Sequence, residues 1–201
     1  IEYRADHAPD DARIDNPLKI LNDGRNVALD PRLAGLTPQA GTTRAESVAE
    51  QIARIYHRDC DRVYLTEDRS GPAALPGSFQ IAFCDRGTPK ADGSWTVYSA
   101  IKDELVERGV PAEEIRFIHD AKTPAQRLKL FNDAKTGKVR VVIASTERMG
   151  TGVNVQTRLA ALHHVDVPWR PIDLEQREGR IVRQGNQNSD VEILQYVTAG
   201  T

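Results

Sequence analysis

Beyond residue 78 the chain alternates short apolar runs with amphipathic stretches. The runs at 79–84, 115–118, 139–144, 159–165 and 191–197 are apolar almost throughout, the pattern of strands covered on two sides rather than one. Between them, apolar positions recur at helical spacing and predict helices over about 96–108, 124–135 and 172–184. Thr123-Pro124 supplies an N-cap and a proline at the first helical position, and Gly109 and Gly185 are placed as stops. Strands alternating with helices in this way predict an α/β fold, a parallel sheet with helices on both faces.

The first part of the chain reads differently. Residues 1–42 are rich in Asp, Pro and Asn with only scattered apolar positions, so they predict an irregular connector with a short helix at most. From Thr43 the spacing of Ala45, Val48, Ala49, Ile52, Ile55 and Tyr56 predicts an amphipathic helix over about 43–59. Residues 61–78 read as a loop, because two Gly and two Pro fall within 70–78. The domain proper is therefore expected at 43–201, with its sheet in 79–201.

In a parallel sheet, ligands bind at the carboxyl ends of the strands, where loops lead into helices. The residues to weigh for chemistry are those just after each run: Asp85-Arg86-Gly87-Thr88-Pro89, His119-Asp120, Ser145-Thr146 through Gly150-Thr151-Gly152-Val153-Asn154, and Asp166-Val167-Pro168-Trp169. Ser145, Thr146 and the glycines after them offer hydroxyls and backbone N–H groups to a phosphate. Further along, Gln176, Arg180 and Arg183 would fall within about 60° of one another on a helix at 100° per residue. One amide and two guanidinium groups so placed form an anion receptor.

Composition narrows the possibilities. The 201 residues carry 27 basic and 29 acidic side chains, a formal charge of −2, which excludes a protein that grips nucleic acid through bulk positive charge. Any polyanion must be met locally, and 20 of the basic residues are Arg, the group suited to fork-like phosphate contact. Two cysteines, Cys60 and Cys84, make a disulfide framework unexpected. His57 and Cys60 are spaced like half a zinc site with no second half, so no metal site is expected. No apolar stretch approaches the ~20 residues that span a bilayer, and Ile1-Glu2-Tyr3-Arg4 lacks the order of a signal peptide. A cytoplasmic protein without membrane contact, and a piece of something longer, is expected.

Gln176-Arg177-Glu178-Gly179-Arg180-Ile181-Val182-Arg183 resembles motif VI of the superfamily 2 helicases and translocases. Ser145-Thr146 with Gly150-Thr151-Gly152-Val153-Asn154 resembles motif V, 79–85 resembles motif IV, and Asp166-Val167-Pro168-Trp169-Arg170-Pro171 resembles a segment of the Snf-type members. A narrower similarity, to helicase/adenine-methylase-type proteins of phages and conjugative elements, runs from residue 79 to the end; 16–33 resembles their inter-lobe connector, and 61–78 has no counterpart. The resemblance implies the second of two RecA-like lobes. It implies that Arg180 and Arg183 act as arginine fingers on the γ-phosphate of ATP with Gln176 beside them, and that Gly152 and Asn154 touch the nucleotide. It also implies that Ser145, Thr146, Arg86, Thr88 and Arg148 contact DNA.

Neither a Gly-x-x-x-x-Gly-Lys-Ser/Thr loop nor an Asp-Glu-x-His box occurs. The resemblance then implies that ATP and Mg²⁺ are held only together with a first lobe of the same polypeptide, and that this piece alone is inactive within a DNA-dependent ATPase. Two other readings stand beside it. One is a degenerate lobe that only binds nucleic acid or protein. The other is a DNA adenine methyltransferase fragment, suggested by Asp166-Val167-Pro168-Trp169 and opposed by the lack of a Phe-x-Gly-x-Gly.

Overall fold

The computed structural model describes residues 16–38, 41–150 and 154–198. They fall into two compact units: the chain up to Arg44 together with the chain from Val197, and Ala45–Tyr196. In the first unit, helix α1 (Pro17–Leu29) begins at Asn16, whose side chain accepts the N–H of Lys19 at 2.9 Å. Pro17 takes the first helical position, where its missing N–H costs nothing. This helix is longer than the short one expected. Its only buried residues are Ile20 and Leu29, so capping rather than a broad apolar face defines it. Asp30 ends α1 and starts the next turn, its carboxylate accepting the Arg32 backbone N–H at 2.9 Å.

The second unit is built on five parallel strands: β1 (Phe79–Phe83), β2 (Ile115–Phe117), β3 (Val141–Ala144), β4 (Leu159–His164) and β5 (Glu192–Gln195), in the order β2-β3-β1-β4-β5. Each lies within one of the apolar runs. Helices α2 (Arg44–Arg58), α3 (Val97–Glu107), α4 (Pro124–Thr136), the short α5 (Thr146–Met149) and α6 (Pro171–Glu178) complete an α/β fold of RecA-like type. Every residue of β1, β3 and β4 is buried, as the apolar runs require of central strands covered on both faces. Phe79, Ile81, Phe83, Val142, Leu162 and Ile181 lie in one core.

Local signals act as expected at the helix starts. Thr123 accepts the Gln126 N–H, and Gln126 Oε1 accepts the Thr123 N–H, a reciprocal pair at 3.2 and 3.0 Å worth on the order of 1 kcal/mol. Two expectations are corrected. The helix expected to reach residue 184 stops at Glu178: the Gly179 N–H closes on Glu175 O at 2.8 Å and the chain then turns. Side-chain alternation along a strand would turn one of His163 and His164 outward, yet both are fully buried, because β4 has strands on either side and cover on both faces.

Candidate functional site

The connection out of β1 runs toward β2 and that out of β4 runs toward β5, so the chain diverges between these two neighbours. Divergence of this kind opens a crevice at the strand ends. There the structure places a side chain to which the sequence motifs assigned no role. Arg177 is fully buried. Its Nη2 donates to Asp85 Oδ2 at 2.7 Å and Asp166 Oδ1 at 3.3 Å, its Nη1 to the Asp166 carbonyl at 2.8 Å, and its Nε to Thr146 Oγ1 at 2.8 Å. The guanidinium lies over the Phe83 ring, 5.1 Å from its centroid.

Both carboxylates are used further. Asp85 accepts the Thr146 N–H at 2.6 Å and its hydroxyl at 3.0 Å; Asp166 Oδ2 accepts the N–H groups of Asp85 and Arg86 at 2.7 and 3.0 Å. The ends of β1, β3 and β4 and helix α6 are thus joined through one cation. Burial, and then the neighbouring Asp85, push the Asp166 carboxyl above its ordinary value, against the opposing pull of Arg177. His164 Nδ1 lies 3.4 Å from Arg177 Nη1. Burial and then that same cation push the imidazole down to about 4, so the ring is neutral at pH 7; its buried Nε2 stands 3.4 Å from Glu178 Oε1 without hydrogen-bond geometry.

Above this network opens a cavity of about 760 Å³. Thr88 comes to it from the end of β1, His119 from the end of β2, Ser145, Thr146 and Arg148 from the end of β3, and Gln176 from α6. These six residues, scattered over 88 to 176 in the sequence, therefore share one surface. Charge there is mixed: Arg148 and Arg170 face Asp85, Glu147 and Asp173. Arg170 is tied to Asp173 at 3.0 Å. Burial, and then Arg148, lower the His119 pKa, which leaves it neutral. Such a surface suits local hydrogen bonding to a phosphodiester more than bulk attraction. Two of its hydroxyls are engaged: Ser145 Oγ accepts the Arg148 N–H at 3.3 Å, and Thr146 is bonded on both sides to Asp85 and Arg177.

Arg180 and Arg183 lie in the turn after α6 and not on its face, so the helical convergence expected with Gln176 does not form. Arg180 is half-buried; its Nη2 donates to Gly150 O, while its buried Nε has no partner. Burial, and then Arg183, lower its pKa. Arg183 is exposed, and among the described residues its guanidinium has no hydrogen bond or ion pair. Arg86 does not line the cavity, and its backbone N–H serves Asp166. Asn154 is exposed, and Gly152 lies outside the described residues.

Among the described residues no three His, Cys, Asp or Glu side chains converge as a metal site, and Asp85 and Asp166 are committed to Arg177, so this donor set does not fit Mg²⁺. The same commitment bears on the methyltransferase reading, since an Asp166 carboxylate filled by Asp85, Arg86 and Arg177 has nothing to offer an amino group. No helix among the described residues is long and apolar enough to cross a membrane.

Residues 88–185 match the family described as the helicase conserved C-terminal domain. Over 65 residues, 32% of this chain, the sequence is 46% identical to the uncharacterized ATP-dependent helicase YqhH of Bacillus subtilis (strain 168). Over 65 residues it is 28% identical to defense against restriction protein B of Escherichia phage P1. The chain matches 11% and 3% of the lengths of these two proteins. Among solved structures, the DUF1998 helicase MrfA bound to DNA shares the fold at a TM-score of 0.52 and 13% identity, covering 79% of this chain and 18% of that one.

Proposed function

Residues 88–185 belong to the helicase conserved C-terminal domain family, and from that premise we propose that the chain is the second motor lobe of an ATP-dependent DNA helicase or translocase. One observation carries the reading. Two guanidinium groups sit in one turn, burial and then Arg183 disfavour the charge on Arg180, and neither guanidinium meets a carboxylate among the described residues. An arrangement that costs free energy in the isolated lobe is offset when a polyanion arrives. The triphosphate of ATP, held on the first lobe of the same polypeptide, is that polyanion in this reading.

The division of labour follows from the placement. Arg180 and Arg183 meet charge growing on the transferred phosphoryl group, a contribution worth roughly 10³–10⁵ in rate for an arginine finger. Gln176, exposed on α6 and lining the cavity, is read as an accompanying phosphate contact. Ser145, Thr88 and Arg148 receive the DNA backbone in the cavity, Arg86 outside it adds a further backbone contact, and Asn154 meets the nucleotide. Thr146 links the two ends of the lobe, because its hydroxyl is held by the same Arg177 that anchors α6. A displacement of α6 as the lobe closes on ATP therefore pulls on the strand-end loop that faces DNA. Mg²⁺ has no donors in this set and falls to the first lobe, as does the pocket for ATP.

The test is DNA-stimulated ATP hydrolysis by the intact protein. Arg180→Ala and Arg183→Ala are each expected to lose most of the turnover while DNA affinity stays within about twofold. Unchanged turnover in both would refute the finger assignment. Loss of DNA affinity with unchanged turnover would favour a lobe that only binds nucleic acid.

A further inference from the structure

We propose that segment 61–78, which has no counterpart in the resemblance, is a positioning brace for the turn that carries Arg180 and Arg183; the proposal rests on the reading of those residues as phosphate contacts. The turn needs an external support. Helix α6 ends at Glu178; the N–H groups of Arg180, Ile181 and Val182 still bond back to Arg177 and Glu178, but the helical bonding stops there, and Gly185 takes a left-handed φ of 95° that lets the chain fold back.

Support reaches the turn from 61–78 at two adjacent points. Tyr64 is buried and donates its hydroxyl to Asn188 Oδ1 at 2.7 Å. Next to it, the Gln187 amide pairs with the Leu65 backbone in both directions: the Leu65 N–H donates to Oε1 at 2.8 Å and Nε2 donates to the Leu65 carbonyl at 3.1 Å. From there the bonds run back to the arginines. The Asn188 amide and its backbone N–H both donate to Asn186 Oδ1 at 2.9 Å, and Asn186 Nδ2 donates to the Ile181 carbonyl at 3.1 Å. Ile181 follows Arg180, and the Asn186 N–H bonds the Arg183 carbonyl at 3.2 Å. A continuous path thus joins Tyr64 to the backbone at both arginines.

The brace is itself fixed to the sheet. Arg158, almost fully buried, places its guanidinium over the Tyr64 ring at 5.1 Å and donates to the Leu75 carbonyl at 2.7 Å. Arg140 donates to the Ser78 carbonyl at 3.0 Å. A segment that only spanned the distance from α2 to β1 would need neither these two buried cations nor a two-way amide pair with a turn 122 positions away.

The experiment compares Gln187→Ala, Tyr64→Phe and Arg180→Ala in the intact protein by DNA-stimulated ATPase, thermal melting and hydrogen exchange. Displacing a reacting contact by about 1 Å costs on the order of 10²-fold. Gln187→Ala, a half-exposed site that leaves the core intact, is expected to lower kcat roughly tenfold or more with KM for ATP and the DNA Kd unchanged. The amides of Ile181, Val182 and Asn186 should exchange faster while the melting temperature hardly moves. Tyr64→Phe is expected to act in the same direction. Wild-type kcat in both brace variants beside a collapsed Arg180→Ala overturns the brace and leaves the fingers standing. Wild-type kcat in all three overturns the finger assignment and the brace with it.

Discussion

Replacing Arg177 with Met tests the strand-end network with little change of volume. The substitution removes one cation from between two carboxylates. Asp166, nearly buried, keeps two backbone N–H donors on Oδ2 and loses its only side-chain donor on Oδ1 among the described residues. Breaking a buried ion pair costs about 3–5 kcal/mol. The lower end applies, because Asp85 is 37% exposed and water screens its share. A loss of about 3 kcal/mol is large against the 5–15 kcal/mol by which a domain is stable.

Urea unfolding of the protein at pH 7 reads this directly. The double variant Arg177→Met/Asp166→Asn, which removes the stranded charge, should recover about 2 kcal/mol, within the range of coupling between touching residues. The pH dependence has a definite sign. Asp166 binds its proton more tightly folded than unfolded, so stability falls as pH rises from the ordinary value of 3.8 through the raised folded value. Arg177 opposes that rise, so without it the window widens and the deficit shrinks on acidification. A loss below about 1 kcal/mol, or a deficit constant between pH 4 and 7, would refute the account of Arg177 as the clamp of the strand ends.

The buried histidines act in the other sense. Burial holds His163 down to about 3 and His164 to about 4, so the folded state binds fewer protons than the unfolded chain below about pH 6.5 and stability drains away as pH falls toward 4; imidazole resonances that remain neutral at pH 5.5 would bear this out, and titration near 6.5 would contradict it. Gly77 has φ 97°, and a Cβ there would stand 2.3 Å from the Arg140 guanidinium carbon. Gly77→Ala should therefore cost about 2–4 kcal/mol in denaturant unfolding through backbone strain and displacement of a buried cation, whereas a change under 1 kcal/mol would mean that Arg140 yields freely.

The sheet was legible because its central strands β1, β3 and β4 are buried on both faces: each of the five runs from Phe79 onward holds a strand, and Thr123-Pro124 opened α4 where its chemistry placed the start. Helix α1 was harder to read, since a surface helix held by Asn16 and Pro17 leaves almost no apolar periodicity. The arginine helix was read too long, because Ile181 and Val182 continue the helical spacing past Gly179 while Ile181 is buried from a turn. Thr88, Ser145, Thr146 and Arg148 could be nominated from their places after strands and Gln176 from its place on a helix, and the fold gathered them in one cavity. Arg177 was missed for a physical reason. It stands between Gln176 and Glu178 in a polar stretch, and its burial depends on Asp85 and Asp166 arriving from two other strands, 92 and 11 positions away. Two carboxylates at strand ends, facing a helix with one more Arg than its motif required, were the available signal.

Single-turnover hydrolysis of ATP by the intact protein, at saturating ATP and DNA, isolates the chemical step from product release. For Arg180→Ala the fingers predict a rate lower by about 10³-fold or more, with the DNA Kd unchanged. A single-turnover rate within about threefold of wild type would contradict the assignment of this chain as the lobe that supplies the phosphate-contacting arginines.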